Sequence, residues 1–317
     1  CSAAQLIDLC ILANSGTYHI VNFSYCVSIT TWGGNVMDAA NLSGKIALVT
    51  GGAAGIGRAI AEAFAIHGAK IVIADKNKER CDAVQSDFEK KGYDALVTHT
   101  DVTDTAQVQT MISAVDGRFG QLNILVNNVG DFLELIKPFK DFADEEIDAL
   151  FNANLNSMFK VTRGAIPLLE KGGAGGSVIN ISSIEAFRGI PTAVVYSAFK
   201  HAITGFTRSL SLDLGPSGIR VNAIAPETTE TEQVSPVDMT PEKYKDHIPR
   251  WNPSGRFGKP SDAAGCALFL ASDMSAWVNG ATINLDGGAL AAAGWYRTPS
   301  NNWTVAPVVT GDGFGYS

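Results

Sequence analysis

From Lys45 to about Gly288, short and nearly unbroken apolar runs alternate with longer segments whose apolar residues recur every three or four positions. KIALVT is the first run and ends in glycines; IGRAIAEAFAIHG then has helical spacing and stops at Gly68. KIVIAD reads as a second buried strand, and NKERCDAVQSDFEKKG as a charged amphipathic helix closing on Gly92. DALVTHTD, DTAQVQTMISAVDGRFG and NILVNNVG give strand, helix and strand. A long helical region runs from roughly 141 to 171, with Pro167 near its end. GGSVINIS is a fifth strand, AVVYSAFKHAITGFTRSLSLDLG a long helix, IRVNAIAP a sixth strand and TINLDGG a seventh. Strands that are apolar throughout, and not on alternate residues only, belong to a parallel sheet covered on both faces. The expected fold class is therefore α/β: a single doubly wound domain with a seven-stranded parallel sheet. Such sheets bind ligands at the carboxyl ends of their strands.

Three segments break the rhythm. Residues 227–260 are polar and carry Pro236, Pro241, Pro249, Pro253 and Pro260, the pattern of an irregular substrate lid. The tail 289–317 holds Trp295, Tyr296, Trp303, Phe314 and Tyr316, so docking on its own domain or a neighbouring subunit is expected. Residues 1–41 form an N-terminal extension. No Lys or Arg precedes Lys45, and LIDLCILA contains Asp8 without a positive flank, which fits neither a signal peptide nor a membrane span. MDAANLSGKIALVTGG, starting at Met37, reads as a natural beginning for the domain 42–288, with residues 1–36 as upstream sequence.

Composition narrows the partners. With 46% hydrophobic and 18% charged residues the chain can bury a large core. Its net charge of −8 and pI of about 5.1 argue against a nucleic-acid partner. The 5 cysteines include no CxxC pair and no Cys/His cluster. A disulfide framework and a metal site are not expected, and a reducing, cytoplasmic setting is.

TGGAAGIG follows the first strand and opens the first helix. Gly51, Gly55 and Gly57 permit a tight turn and close approach of a ligand; the bare N–H groups of the helix start attract a pyrophosphate. Ala53 and Ile56 complete this candidate dinucleotide turn, which makes the domain Rossmann-type. Asp75 ends the second strand, where a carboxylate accepts hydrogen bonds from a ribose diol and repels a 2′-phosphate. NAD is thus favoured over NADP, although Arg58 and Lys76 stand near enough to keep NADP open. Asp101 and Val102 after the third strand, and Asn128 after the fourth, lie where adenine and its ribose would pass; turn chemistry alone also explains them.

Tyr196 and Lys200 stand at i and i+4, on one face of one helix. A free tyrosine has a pKa of about 10; a neighbouring ammonium favours its phenolate, which makes it a proton carrier near neutral pH. Ser183, 13 residues upstream, can hold the same substrate oxygen, with Ser182 as the competing candidate.

These motifs together resemble the short-chain dehydrogenase/reductase family. The resemblance runs from about Leu42 to Gly288 and rests on TGGAAGIG, DVTD, NNVG, FNANL, INISS, YSAFK, RVNAIAP and LDGG. It implies a tetrad of Asn154, Ser183, Tyr196 and Lys200, in which the tyrosine is the acid/base and the serine orients the substrate oxygen. The lysine would bind the nicotinamide ribose and lower the tyrosine's pKa; Asn154 would hold a water leading to solvent. The resemblance also places Pro226 and Thr229 against the nicotinamide and Thr231 at its carboxamide or phosphate side. One departure stands out: Glu227 occupies the position after Pro226 where the family usually has glycine. It would narrow the site, reach the substrate or point to solvent. Asp131, Phe132, Glu185, Phe187, Glu227 and the 227–250 segment are the expected substrate lining. The expected function is hydride transfer between NAD and a secondary alcohol/ketone pair, a small-molecule substrate, in a homo-oligomer of two or four chains. The alternatives are an NADP-dependent ketone or 3-oxoacyl reductase, and a non-catalytic dinucleotide-binding regulator, which would have no chemical need for the intact tetrad.

Overall fold

The computed structural model describes residues 39–250 and 252–293 in full, and elsewhere only the backbone of a few short strands. The chain divides into two compact units, Cys1–Asn41 and Leu42–Ser317. In the first, Cys10–Asn14, Thr17–Asn22 and Tyr25–Ile29 form a three-stranded antiparallel sheet with Ile11 opposite Ile20 and Ile20 opposite Val27. The aromatic and β-branched residues of TYHIVN and YCVSI suit a pleated surface. The sequence reading assigned no element there. Near the C-terminus Tyr296–Arg297 pairs with Trp303–Thr304; the expected docking of the tail's aromatic side chains lies outside the described residues.

The second unit contains the seven-stranded parallel sheet. Its strands are β1 (Ile46–Thr50), β2 (Lys70–Asp75), β3 (Ala95–His99), β4 (Ile124–Asn127), β5 (Gly176–Ile181), β6 (Ile219–Pro226) and β7 (Thr282–Leu285). They lie in the order β3-β2-β1-β4-β5-β6-β7. The chain winds outward from β1 to β3, then returns to place β4 on the other side of β1. That reversal opens a crevice at the carboxyl ends of β1 and β4. The helices are α1 (Gly55–Ile66), α2 (Lys78–Lys90), α3 (Thr105–Phe119), α4 (Asp144–Phe151), α5 (Ser157–Lys171), α6 (Val194–Leu214) and α7 (Pro260–Ala271).

Successive strand residues alternate between two cores. Ala47, Val49, Ile71, Ile73, Ile124 and Val126 pack with Ile60 and Phe64 of α1, Phe88 of α2 and Leu270 of α7. Ile46, Leu48, Val72 and Leu125 pack with Met111 of α3, Val161 and Leu168 of α5 and Leu210 of α6. This is why the strands read as continuous apolar runs: both faces are covered. A buried polar chain crosses the middle. Asn127 Nδ2 donates to Asn180 Oδ1 at 2.8 Å, Asn180 Nδ2 to Thr207 Oγ1 at 3.0 Å, and Thr207 Oγ1 to the Ile203 carbonyl at 2.8 Å. It ties β4 and β5 to α6, the helix carrying Tyr196 and Lys200.

Three local expectations change. The helical region expected over 141–171 runs unbroken from Asp144 to Lys171 but is not α-helical throughout: between α4 and α5, Asn152–Asn156 is a π turn, with the Ser157 N–H donating to the Asn152 carbonyl five residues back. The 227–260 segment is not irregular throughout, since Pro236–Met239 is a short helix and Glu242–Arg250 a 3₁₀ run. Helix α7 has no counterpart in the sequence reading; Pro260 is its first residue, and Asp262 Oδ2 accepts the Lys259 N–H at 2.8 Å. No helix among the described residues is long and apolar enough to cross a membrane.

Phe64 is fully buried where α1 meets the sheet. Phe64→Ala is expected to lower stability by about 3–5 kcal/mol, the usual cost of a large buried cavity, read as a fall in urea midpoint at constant slope.

Candidate active site

The carboxyl ends of the strands enclose one cleft of about 780 Å³. Its first wall is the glycine turn. Gly51 and Gly55 have φ of +61° and +52°, a region that side-chain-bearing residues rarely adopt. A Cβ at Gly57 would lie 2.3 Å from the Gly51 carbonyl and 2.6 Å from Asn128 Nδ2, so this glycine serves close packing and does not face the cleft. Asn128 pins the turn: its N–H donates to Thr50 Oγ1 at 3.0 Å and its Nδ2 to the Thr50 carbonyl at 3.0 Å. Helix α1 has Ala54 as its N-cap, with no side-chain acceptor. Its first amide is instead met from across the cleft, where Glu232 Oε2 accepts the Gly55 N–H at 3.1 Å. An anionic oxygen therefore already stands at the helix start, the chemistry a pyrophosphate would use there. The donor set fits a dinucleotide.

Asp75 lines the cleft beside this turn. Its Oδ2 accepts the Ala53 N–H at 3.1 Å and its Oδ1 the Asn77 N–H at 3.0 Å. Ala53 itself is buried and contributes only that amide. Arg58, which kept NADP open in the sequence, is occupied elsewhere: its guanidinium pairs with Asp87 and lies 4.3 Å over the Phe88 ring. Lys76 and Arg80 do line the cleft. Asp101, another lining residue, spends Oδ1 on the Thr103 N–H and hydroxyl at 2.9 and 2.7 Å, so its turn role is real. Gly51, Gly55, Ile56, Val102 and Asn128 line the same end.

At the other end Tyr196 stacks on Phe132, with ring centres 3.9 Å apart, and its phenol hydrogen-bonds Ser183. Ser183 Oγ also accepts the Glu185 N–H at 3.2 Å. Ser182 Oγ donates to the Lys200 carbonyl at 3.0 Å and so holds the helix. Lys200 is buried, with Nζ donating to the Ile181 carbonyl at 3.2 Å and 5.3 Å from the Tyr196 ring centre. Burial draws its pKa down to about 8. A Cβ on Gly130 would lie 2.9 Å from Lys200 Nζ and 3.0 Å from Asn154 Oδ1, so glycine lets these groups converge. Asn154, fully buried in the π turn, does not line the cleft. Its Oδ1 accepts the Asp131 N–H at 3.0 Å, and its Nδ2 donates to the Asp131 and Leu150 carbonyls at 2.8 and 3.0 Å.

One electrostatic expectation is reversed. The tyrosine pKa lies above its ordinary value: burial is the main cause, the Ser183 hydrogen bond opposes it, and the Glu185 and Asp131 carboxylates add to it. Lys200, its pKa drawn down to about 8, has lost its proton before the pH at which the phenol ionises.

Pro226, Thr229 and Thr231 line the cleft, Thr231 against the glycine turn. So do Asp131, Phe132, Glu185 and Glu227. Phe187 does not: it follows the 3₁₀ turn Ile184–Ala186 and is 47% exposed. Glu227 is buried rather than turned to solvent, and its carboxylate pairs with Arg188. Burial pushes its pKa up while Arg188 opposes the rise. Arg80, Arg188 and Glu232 went unnoticed in the sequence, where no local pattern sets them apart. Among the described residues no cluster of three His, Cys, Asp or Glu side chains is placed to hold a metal.

A family model described as enoyl-(acyl carrier protein) reductase matches residues 51–289. The chain belongs to the short-chain dehydrogenase/reductase family. It is 36% identical over 247 residues to the 3-oxoacyl-(acyl-carrier-protein) reductase of Thermotoga maritima, covering 78% of this chain and 98% of that one. To the 3alpha-hydroxysteroid dehydrogenase of Mediterraneibacter gnavus it is 36% identical over 250 residues, 78% and 98% of the two chains. Among solved structures, a gluconate 5-dehydrogenase from Burkholderia cenocepacia in complex with NADP and tartrate superposes with a TM-score of 0.75 at 34% identity. That match covers 81% of this chain and 100% of the other. As a member of the family, the chain is an NAD(P)-dependent oxidoreductase acting on CH–OH groups.

Removing the Glu232 carboxylate frees the Gly55 amide and removes a negative charge from beside the pyrophosphate position. Glu232→Gln is expected to tighten NADH binding about two- to fivefold at low salt, with the gain shrinking as salt rises, measured by titration calorimetry.

Proposed function

We propose that the chain transfers hydride between NAD and a secondary alcohol/ketone pair, with Tyr196 as the proton carrier. The convergence of the Tyr196 phenol, the Ser183 hydroxyl and the Lys200 ammonium at one end of a cleft whose other end is the glycine turn carries this reading. Ser183 holds the substrate oxygen beside the phenol. In oxidation Tyr196 accepts the hydroxyl proton; in reduction it returns one to the carbonyl oxygen. Lys200 holds the nicotinamide ribose, and Asn154 fixes the Asp131 backbone at the mouth of β4. When bound, the nicotinamide supplies the hydride acceptor and, oxidised, a positive charge that favours the phenolate. Gly51, Gly55, Ile56, Val102, Asn128, Pro226, Thr229 and Thr231 would line the coenzyme, with Asp75 on the adenosine ribose. Asp75 and the engagement of Arg58 by Asp87 favour NAD.

A second reading, an NADP-dependent 3-oxoacyl reductase, is favoured by the likeness to the Thermotoga relative and by Lys76 and Arg80 in the cleft wall. Side-by-side kcat/KM values with the two coenzymes separate them. The 227–260 segment acts as the substrate lid. Exposed Leu212 on α6 and fully exposed Trp277 support a dimer or tetramer, and the free thiols of Cys81 and Cys266 suit the reducing cytoplasm.

Tyr196→Phe is expected to lower kcat by at least about a thousandfold while NADH affinity stays within about threefold. Unchanged turnover would falsify the assigned role. Because oxidation needs the phenolate and the phenol's pKa is raised, oxidation rate should climb with pH from neutral into the alkaline range. Reduction, which needs the phenol, should be flat at neutral pH and fall only at high pH. Paired pH profiles of kcat/KM test both signs.

A further inference from the structure

Glu185 and Glu227 come from different strand ends, yet one guanidinium holds both. Arg188 Nη2 lies 2.9 Å from Glu185 Oε1, 2.9 Å from Glu227 Oε2 and 3.2 Å from Glu227 Oε1, and Arg188 Nε lies 3.3 Å from Glu185 Oε1. The two carboxylate side chains are only 11% and 6% exposed, and both residues line the cleft; Arg188, 40% exposed, does not line it. We propose that this clamped pair makes Glu227 a specificity-determining residue that selects uncharged alcohols bearing a second hydroxyl and rejects substrates bearing an anionic group. The inference rests on the hydride-transfer reading and names the substrate class for it.

Charge supports the rejection. Asp131, Glu185 and Glu227 are three carboxylates at the reacting end, against the cations Arg188 and Lys200, leaving one net negative charge. Lys200 Nζ is directed at the Ile181 carbonyl, and Arg188 is held by two carboxylates. A carboxylate or phosphate on the substrate would meet like charge, with no free cation among the described residues at that end to receive it. Hydrogen-bond capacity supports the selection. A carboxylate has about four acceptor positions. Glu227 accepts from Arg188 through both oxygens and, at 3.4 Å, from the Thr228 hydroxyl through Oε1, so Arg188 is the one side chain among the described residues that donates to Oε2. The spare position is satisfied by a hydroxyl and wasted on hydrocarbon, and sites built this way discriminate strongly against analogues lacking the donor. The resembled family usually has glycine at this position, so the acceptor is a property of this chain.

The test uses three ring-matched probes: cyclohexanol, 1,2-cyclohexanediol and 2-hydroxycyclohexanecarboxylate. Their kcat/KM with NAD is measured on the full chain, together with their Kd on the NADH complex, which decides the ranking if turnover is too slow to read. The diol should lead cyclohexanol by roughly tenfold, with the carboxylate lowest. Glu227→Gln, which keeps volume and an acceptor but loses charge, should raise the carboxylate roughly tenfold relative to the diol. Glu227→Gly should bring the diol and cyclohexanol together. The proposal is overturned if the wild type takes the carboxylate as well as the diol, or if neither variant moves these ratios. NADH affinity, followed in all three proteins, separates the failures. Intact binding with unmoved ratios removes only the role of Glu227; failure of the wild type to bind NADH overturns the hydride-transfer reading and this inference with it.

Discussion

The reacting end depends on one buried ammonium without a carboxylate partner among the described residues. Lys200 sits at the junction of β4, β5, the π turn and α6, with a backbone carbonyl as its hydrogen-bond acceptor. Burying such a charge is expensive, and its lowered pKa is the direct expression of that cost. The surrounding groups have little freedom as a result. Gly130 must lack a side chain, Ser182 must hold the helix backbone, and Asn154 must fix the strand exit beside it. The sheet supplies the rigidity, through the Asn127–Asn180–Thr207 chain that runs into the same helix.

Electrostatically the cleft has two ends of different character. At the glycine-turn end, the N–H groups of a helix start and the Asp75 carboxylate stand together, Arg58 is drawn off by Asp87 and Phe88, and Lys76 and Arg80 stand in the wall. At the substrate end, burial above all, with the Glu185 and Asp131 carboxylates adding to it, favours the protonated phenol.

Much of this was legible in the chain because its physics is local. Strands buried on both faces must be apolar throughout, and a turn that lets a backbone approach a phosphate must be glycine-rich; both leave contiguous marks. Helix α7 was missed because Pro260 closes a proline-rich stretch in sequence but opens a helix in space. The chemistry of Glu227 was ambiguous because its partner lies 39 residues away, and that of Glu232 because its partner lies 177 away. The upward displacement of the Tyr196 pKa was invisible for the same reason: burial is its main cause, and the Glu185 and Asp131 carboxylates that add to it come from other elements. Phe187, two residues beyond Glu185, turned outward because a single 3₁₀ turn changes which way successive side chains face.

The π turn between α4 and α5 carries a consequence for how this chain can change. A five-residue hydrogen-bonded loop inserted in an α-helix adds one residue, and each residue of an α-helix turns the chain by about 100°. The stripe formed by Val161, Ala165 and Leu168 is therefore shifted by that angle from the phase an unbroken helix would give it, and in the shifted phase it packs with Leu48, Leu125 and Val178 of the sheet. Deleting any one residue of Asn152–Asn156 would rotate the whole of α5 about its axis and swing its apolar stripe toward water. A change in length there is barred by packing alone, whatever the residues.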